Sequence, residues 1–326
     1  MLSLPHIRQR VMDSARTSVS EGASHLEFQA MASRCRVTFA ASLPAARDFQ
    51  RALLLWVADF EATYSRFISD SLVSRINASA GKEWTKVDPT TENMLALCDQ
   101  AYSFSRGIFD ATALPLIQLW NWKASPPIVP SEAAIQVARQ KVGWPKVQRK
   151  PGQIFLQQGM SLDLGGLGKE YAVDQVASLA EQFGIQHVLI DFGRDVFVRG
   201  IPPDGRAAWH IGLEDPAQPG KCWTSVAAKD IAVATSGDYN RRFEINGRRY
   251  GHILDVRTGY PVANGCRAVS VIAPRCTMAG MLATTIFVAG PEEGIKMLEL
   301  LPGLAGCILM ENSQLRSRRF HEYVVA

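Results

Sequence analysis

The stretch from Ile231 to Val262 constrains the fold most, because it holds the strongest turn signal in the chain. Asn246-Gly247 stands between two runs of strand-forming residues, and this dipeptide suits the left-handed backbone of a two-residue hairpin turn. The pattern predicts an apolar strand, a Thr235-Ser236-Gly237 turn and then a hairpin that carries His252 and Asp255 back towards that turn. Such a stretch is either a functional site or a solvated hairpin with a surface histidine.

A second Gly-rich turn covers Asp163–Lys169, with the sequence Asp-Leu-Gly-Gly-Leu-Gly-Lys, and precedes an amphipathic helix that ends at Gly184. A strand, a Gly turn, a helix and a strand in series are typical of an anion-binding βαβ unit, because the N–H groups at a helix start point at phosphate. The G-x-G-x-x-G spacing of dinucleotide-binding folds is missing. A tight helix-start turn without a ligand is the alternative.

Strands and helices interleave along the remaining chain without the strict alternation of a parallel barrel. We predict a first strand over Leu26–Ala40, helices that begin near Pro44, Asp88 and Ser131, and terminal strands at 307–310 and 320–325. This order favours an α+β or mixed α/β fold class, with mixed sheets and helices packed outside. The 326 residues are expected to form a loosely ordered N-terminal segment, 1–25, and a single domain, 26–326.

Composition narrows the classes of function. The net charge is +4 and no Lys/Arg-rich block is present, so nucleic acid is not an expected partner. The longest apolar runs fall well short of the roughly 20 residues of a membrane span. The N-terminus has no continuous apolar core, so no export signal is expected. The six cysteines are scattered without a C-x-x-C pair, which favours reduced thiols and a cytoplasmic protein.

Three turns place small residues and one Asp at the end of an element, which suits close backbone approach to a phosphorylated ligand. They cover Gly107–Leu114, Asp163–Lys169 and Thr235–Gly259. In their order along the chain, the motifs around these turns resemble the flavin transferase (ApbE) family, the FAD:protein FMN transferases. The motifs are Ser65-Arg66-Phe67, Gly107-Ile108-Phe109-Asp110-Ala111-Thr112, Asp163-Leu164-Gly165-Gly166, Thr235-Ser236-Gly237-Asp238-Tyr239 and His252-Ile253-Leu254-Asp255.

The resemblance implies an ApbE-like, T-fold-related architecture and a specific chemistry. Family members bind FAD with a divalent metal, usually Mg²⁺, at the pyrophosphate. They transfer the FMN half to a Thr or Ser hydroxyl of a target protein and release AMP. The acceptor lies in a short Asp/Gly/Ser/Thr/Ala motif of the target. Some relatives hydrolyse FAD to FMN and AMP instead.

The resemblance also implies roles for individual residues. His252 would be the catalytic base, with a near-neutral pKa, and Asp255 a second catalytic residue. The carbonyl of Gly166 and the hydroxyl of Thr284 would ligate the metal. The residues that would bind FAD are Met31, Phe67, Ile108, Phe109, Asp110, Asp163, Lys169, Thr235, Ser236 and Leu254.

Six positions depart from the family pattern. Gly280 stands in place of an Asp that is the principal anionic metal ligand, and Glu170 stands in place of a Gly. Arg194 replaces another Gly, Val256 a Pro, and Ala32-Ser33 a Gly-Thr pair. Arg194 as a fixed positive charge, or Glu170 as a displaced carboxylate, would compensate. Without compensation, the alternatives are an FAD-binding paralogue that acts as a flavin carrier or regulatory protein, and an FAD pyrophosphatase.

Overall fold

A nine-stranded antiparallel sheet forms the centre of the fold. The structure is a computed structural model that describes residues 4–122, 124–218, 220–239 and 241–325. The α-helices are α1 (Leu4–Ser14), α2 (Leu43–Tyr64), α3 (Leu72–Ala78), α4 (Pro89–Phe104), α5 (Leu114–Leu119), α6 (Glu132–Gln140), α7 (Gly168–Gln182), α8 (Cys276–Ala289) and α9 (Pro291–Leu300), and short 3₁₀ helices cover Trp144–Lys146 and Phe320–Glu322. The strands are β1 (Arg16–Ser20), β2 (Ala23–Ala30), β3 (Ser33–Phe39), β4 (Thr85–Lys86), β5 (Gln148–Lys150), β6 (Gln153–Phe155), β7 (Val188–Phe192), β8 (Asp195–Arg199), β9 (Trp209–Glu214), β10 (Cys222–Ala228), β11 (Ile231–Gly237), β12 (Arg242–Ile245), β13 (Arg248–Gly251), β14 (Leu254–Asp255), β15 (Tyr260–Pro261), β16 (Cys266–Ala273), β17 (Ala305–Met310) and β18 (Gln314–Arg316).

The order of strands in the large sheet is β1-β2-β3-β7-β8-β11-β16-β17-β18. Apolar side chains alternate between its two faces, as the period of a strand requires. On β11, Ala232 and Ala234 belong to the large core beneath α2, α7 and α8, whereas Val233 belongs to the core beneath β9 and β10. The sheet is therefore covered by helices on one face and by a two-stranded sheet on the other. The predicted α+β class is confirmed.

The hairpin predicted at Asn246-Gly247 is confirmed. Strands β12 and β13 pair antiparallel, and Asn246 and Gly247 have φ angles of +51° and +72°. Both central residues of a type I′ turn need positive φ, which Asn and Gly tolerate best. The helices predicted from Asp88 and Ser131 are also present, each with the predicted residue as N-cap: Asp88 accepts from the Thr91 N–H and Ser131 from the Ala134 N–H.

The N-terminal region differs from its prediction. Residues 1–25 were expected to be loosely ordered, but from Leu4 onward they form α1, β1 and the start of β2. Ile7 and Val11 lie one helical turn apart and are both buried, so they form the short apolar face by which α1 packs on the large core. The predicted strand Leu26–Ala40 is two strands, because Met31 and Ala32 both adopt positive φ, at +49° and +55°, and reverse the chain.

Two further predictions of local structure were wrong. Thr235-Ser236-Gly237 is the paired end of β11 rather than a turn, because these residues pair with Ser270, Val269 and Ala268 of β16. The segment predicted as the strand 320–325 is a 3₁₀ turn at Phe320–Glu322 with one isolated bridge from Val324 to Val226.

The predicted βαβ unit around α7 is also not formed. Strand β6, before the Gly-rich turn, lies in a three-stranded sheet with β4 and β5. Strand β7, after α7, pairs antiparallel with β3 and β8 in the large sheet. A βαβ unit needs two parallel strands in one sheet. Within the described ranges, no helix is both long and apolar enough to cross a bilayer.

Candidate functional site

The end of β11 meets helix α8 through two hydroxyl groups. Ser236 Oγ lies 2.9 Å from Thr284 Oγ1, so Ser236 faces the helices. Thr235 points to the opposite face of the sheet, where its Oγ1 lies 2.7 Å from Ser270 Oγ on β16. The structure therefore brings Ser236 and Thr284, both predicted site residues, into direct contact. Strand alternation places Thr235 on the other side of the same strand.

Asp238 follows β11 and is buried against the β12–β13 hairpin. Its carboxylate accepts a hydrogen bond of 2.7 Å from Arg249. Gly251 makes this packing possible, because a Cβ there would lie 2.7 Å from Asp238 Cβ. Burial raises the pKa of Asp238, although Arg249, Arg267 and Arg242 oppose the rise. Burial also lowers the pKa of Arg249, so desolvation outweighs the mutual attraction of the two charges.

His252 lies just after β13, at the end of the hairpin. Its backbone N–H donates to the carbonyl of Arg241, and its Nδ1 is buried without a hydrogen-bond partner among the described residues. Burial, and then the positive charge of Arg241, lower the pKa of His252 to about 4. The prediction of a near-neutral pKa was therefore wrong. The imidazole is neutral at physiological pH.

Asp255 has the contacts of a turn residue. Its carboxylate accepts from the backbone N–H, Nε and NH2 of Arg257, at 2.8–2.9 Å. Its backbone carbonyl accepts from the N–H groups of Thr258 and Gly259. The neighbouring Leu254 is buried in a cluster with Trp120, whose Nε1 donates to the carbonyl of Gly259. Asp255 therefore stabilises the turn that follows His252, and no contact joins its carboxylate to the imidazole among the described residues.

The predicted loop at Gly107–Thr112 is held against the Gly-rich turn before α7. The Asp163 N–H donates to the carbonyl of Ala111 at 2.8 Å. A Cβ on Gly166 would lie 3.4 Å from the ring of Phe109, so the two segments touch there. Both oxygens of the Asp110 carboxylate accept hydrogen bonds within the fold: Oδ1 from the N–H and hydroxyl of Thr112, and Oδ2 from the backbone N–H of Trp144. Asp110 therefore shapes this wall of the site, and Ile108 lies on the same loop.

Asp163 connects the Gly-rich turn to the segment after α2. One carboxylate oxygen accepts from the Gly165 N–H at 2.8 Å, and the other lies 3.1 Å from Arg66 Nε. The Arg66 guanidinium stacks 4.2 Å over the ring of Phe67, which is 72% exposed. An exposed aromatic ring backed by a cation offers a flat surface on which a heterocycle can stack. No role of its own was predicted for Arg66, although its position next to Phe67 could have indicated that the two side chains stack.

The tight turn at Met31-Ala32, which includes a predicted FAD-binding residue, is held by the side chain of Glu61. The Met31 N–H donates to Glu61 Oε2 at 3.0 Å, and this oxygen also accepts from Arg10. Next along β3, Ser33 lies close to the turn between β7 and β8, since a Cβ on Gly193 would be 2.8 Å from its Oγ.

Lys169 and Arg194 are both used in ion pairs near the β7–β8 turn. Lys169, at the start of α7, pairs with the buried Asp195. Arg194 has a φ of +77° and pairs with Glu214 of β9, and its guanidinium lies 3.5 Å from the Tyr239 hydroxyl. The hypothesis that Arg194 places a positive charge near a bound pyrophosphate stays a prediction.

Helices α7 and α8 pack along a seam at which Asp174 and Glu170 of α7 face the first two turns of α8. Asp174 accepts from the Cys276 N–H at 2.8 Å and from the Thr277 N–H at 2.9 Å, so it caps the start of α8 from a neighbouring helix. One turn earlier on α7, Glu170 covers Gly280: a Cβ on Gly280 would lie 2.6 Å from Glu170 Cγ. Glu170 Oε2 is buried and has no hydrogen-bond partner among the described residues.

The donor atoms at this seam fit a hard divalent cation. Such cations prefer oxygen ligands, and Mg²⁺ in particular binds through one or two carboxylates together with water and phosphate. The seam provides a Glu170 carboxylate with one buried oxygen, Oε2, that has no partner among the described residues, and the Thr284 hydroxyl. The predicted ligand Gly166 lies four residues before Glu170. In the described part of the chain, no group of three or more His, Cys, Asp or Glu residues could hold a metal. A site here would therefore contain fewer than three such side chains.

A separate groove of about 400 Å³ lies between α4, α7 and α8. It is mainly apolar, and its lining includes Phe104, Met278 and Leu301. None of the predicted site residues lines it, so the candidate site is the polar region described above.

Comparisons with known proteins identify relatives over most of the chain. The ApbE family model matches residues 31–308. The FAD:protein FMN transferase of Treponema pallidum is 32% identical over 267 residues, which cover 76% of this chain and 73% of that protein. The FAD:protein FMN transferase of Vibrio cholerae is 30% identical over 251 residues, covering 76% and 74%.

Solved structures agree with this relationship. The crystal structure of the ApbE protein from Thermotoga maritima is similar with a TM-score of 0.85 and 29% identity, covering 93% of this chain and 100% of that one. The apo form of the flavinyl transferase ApbE from Pseudomonas stutzeri is similar with a TM-score of 0.83 and 27% identity, covering 96% and 98%.

Proposed function

The chain belongs to the ApbE family, and on this premise we propose that it is an FAD:protein FMN transferase. It binds FAD as substrate, transfers the FMN half to a Thr or Ser hydroxyl of a target protein and releases AMP. The observation that supports the proposal is that motifs distant in sequence are in direct contact in pairs. Ser236 contacts Thr284, the Gly107–Thr112 loop contacts Gly166, and Asp163 pairs with Arg66.

Charge around the β12–β13 hairpin suits the anionic pyrophosphate of FAD. Arg242, Arg249 and Arg267 act on the buried Asp238, and Arg241 acts on His252. One carboxylate thus faces several guanidinium groups, and the local field is positive. The residues proposed to contact FAD are Met31, Phe67, Ile108, Phe109, Asp110, Asp163, Lys169, Thr235, Ser236 and Leu254. The side chains of Asp110 and Thr235 bond to other residues of the protein, so these two would act through their backbone or through the loop they support.

His252 is the residue proposed to move the proton. Its neutral imidazole takes the proton from the acceptor hydroxyl, whose oxygen attacks the phosphorus of the FMN half while the bond to the AMP oxygen breaks. The negative charge of bound pyrophosphate raises the pKa of His252 from about 4 towards its ordinary value, which makes it a stronger base in the complex. The contacts of Asp255 support a role in holding the turn beside His252 rather than in proton transfer.

Mg²⁺ is the proposed cation, held by the Gly166 carbonyl and the Thr284 hydroxyl. When bound, it offsets negative charge on the pyrophosphate oxygens. We place the activity in the cytoplasm, since all six cysteines are free and Cys222 alone among them is exposed. Free thiols are typical of a reducing compartment.

The test is a transfer assay with the purified full chain, FAD, MgCl₂ and a carrier protein that ends in a Ser/Thr-containing Asp/Gly/Ala segment. We expect flavin fluorescence that stays with the carrier in a denaturing gel, and AMP in equal amount. His252→Ala should lower the rate by about 10²-fold or more. His210→Ala, at an exposed histidine on β9, is the matched control and should keep full activity.

Two results would contradict the proposal. AMP and free FMN without labelled carrier would indicate a pyrophosphatase. Bound FAD without either product, over Mg²⁺ and Mn²⁺ and several carriers, would indicate a flavin-binding protein.

A further inference from the structure

We propose that Glu170 supplies the carboxylate ligand of the divalent cation, from helix α7, in the space that a side chain at position 280 of α8 would otherwise fill. This inference deepens the proposed function and rests on it for the nature of the cation. It assigns a carboxylate ligand at a site where Gly280, in place of the family's Asp, leaves only the neutral oxygens of Gly166 and Thr284.

Glu170 differs from the other buried carboxylates of the protein. Glu61, Asp191, Asp195 and Asp238 are also buried, and each pairs with a cation: Arg10, Arg36, Lys169 and Arg249, respectively. Glu170 is only 8% exposed, yet within the described ranges no ion pair or hydrogen bond involves its Oε2. Burying a charged group without a partner costs several kcal/mol, so such groups normally meet an opposite charge or a metal. The missing partner is a cation.

The side chain of Glu170 lies where a residue on α8 would otherwise present its own side chain. A Cβ on Gly280 would be 2.6 Å from Glu170 Cγ and 3.0 Å from both its Cδ and its Oε1. The 2.6 Å distance is shorter than real carbon contacts and the two 3.0 Å distances are tight, so a larger residue at 280 would require the flexible Glu170 side chain to move. The two departures from the family pattern are therefore one exchange. Relative to that pattern, the carboxylate stands on α7 and the glycine on α8, in contact with each other.

The register of the seam brings Glu170 to the predicted metal ligands. Asp174 bonds Thr277, and Glu170, four residues before Asp174, covers Gly280, so α7 and α8 run antiparallel here. A further step of four residues along α8 leads to Thr284, whereas Gly166 lies four residues before Glu170, in the turn that precedes α7. Residues four apart on a helix lie on the same face. The carboxylate thus lies one turn from the Thr284 hydroxyl, which also contacts Ser236.

The ligand chemistry indicates a hard cation with modest intrinsic affinity. One carboxylate, one hydroxyl and one carbonyl leave several coordination positions for water and for phosphate oxygens, as is typical of Mg²⁺. We therefore expect Mg²⁺ or Mn²⁺ to bind weakly alone and more tightly with FAD, whose pyrophosphate completes the coordination.

The experiment measures Mn²⁺ binding to the full chain by electron paramagnetic resonance of free Mn²⁺, with and without FAD. Glu170→Gln keeps the shape of the side chain and removes its charge, and should weaken Mn²⁺ binding by at least about tenfold. The double variant Glu170→Gly/Gly280→Asp returns a carboxylate from α8 and should bind Mn²⁺ again. Glu181→Gln, at an exposed carboxylate near the other end of α7, is the control and should bind like the wild type.

Gly280→Asp alone tests the packing. It should lower the melting temperature, because the new Cβ overlaps Glu170, and adding Glu170→Gly should restore it. Mn²⁺ binding by Glu170→Gln equal to that of the wild type would overturn the inference, as would a wild type that binds FAD but no Mn²⁺. FAD binding is followed separately by quenching of flavin fluorescence. Loss of the proposed function would appear as absent FAD binding or transfer, whereas failure of this inference would leave both intact in Glu170→Gln.

Discussion

His252 is kept neutral by its surroundings, which distinguishes it from a surface histidine. Its Nδ1 is buried without a partner among the described residues, and the nearby Arg241 disfavours a second positive charge. Both effects favour the uncharged imidazole, and its pKa falls to about 4 from an ordinary value of 6.5. Residues that are strained or desolvated without benefit to the fold are common at functional sites. The cost of this desolvation is measurable in the stability of the protein.

We expect His252 to make the protein less stable in mild acid. Between pH 6.5 and pH 4 the unfolded chain binds a proton at this position and the folded chain does not, so the free energy of unfolding falls as the pH falls. Between about pH 7.5 and pH 5 the wild type should lose about 2 kcal/mol more than His252→Gln. Urea denaturation at the two pH values checks this, with His210→Gln as the control. Parallel losses in wild type and His252→Gln would disprove the low pKa.

Single residues also show where sequence reasoning reached its limit. Asp163, Ser236 and Thr284 could be chosen from their motifs, and the structure gives each a contact with another motif. The contact of Glu170 with Gly280 could be guessed only as a displaced carboxylate, because it depends on how α7 packs against α8. The low pKa of His252 was also beyond the sequence, since burial is a property of the assembled hairpin.

At the scale of elements, local signals predicted helices better than strands. Helices α3, α4 and α6 follow N-cap residues, Ser71, Asp88 and Ser131, whose side chains bond to the first turn. These contacts are local in sequence, so they can be read from it. Strands β9 and β10 were missed, although Trp209, Ile211 and Leu213 alternate as buried residues. Their place depends on covering the distant strands of the large sheet, which short-range patterns do not encode.

Helix α1 supports the turn at Met31 through one of its two ion pairs with α2. Arg8 pairs with Asp59 at 2.6 Å, and both side chains are more than 40% exposed. Arg10 pairs with Glu61, whose side chain is only 9% exposed and whose Oε2 accepts the Met31 N–H. Exposed pairs contribute little to stability, whereas a buried carboxylate that loses its partner is costly. The two arginines are therefore unequal despite their similar distances.

We expect Arg10→Met to lower the free energy of unfolding by about 1–2 kcal/mol, and Arg8→Met to lower it less. Arg10→Met should also speed hydrogen exchange at the Met31 amide, because the acceptor Glu61 loses its fixed position. Urea denaturation and amide exchange measure the two effects, with Arg8→Met as the matched control. Equal effects of the two substitutions would show that α1 contributes only its apolar face.

At the scale of the whole molecule, the large sheet joins the N-terminal segment to the candidate site. Strands β1, β2 and β3 continue directly into β7, β8 and β11, and Ser236 near the end of β11 contacts α8. The core beneath the helices contains Ile7 and Val11 of α1 together with Ala279 and Ala283 of α8. Because these residues share one core, the contacts do not separate residues 4–25 from the rest of the chain. They support a single domain that includes α1.

The protein should therefore unfold as one cooperative unit that FAD stabilises as a whole. Residues 4–25 share the core of the remaining chain, and the proposed FAD contacts are spread from Met31 to Leu254, so one bound molecule stabilises every part of the sheet. At FAD concentrations about 100 times the Kd, the free energy of unfolding should rise by about 2.7 kcal/mol. Differential scanning calorimetry should show a single transition, with equal calorimetric and van't Hoff enthalpies, that moves upward with FAD. Two transitions, only one of them shifted by FAD, would show instead that the chain contains two units and would identify the one that binds the flavin.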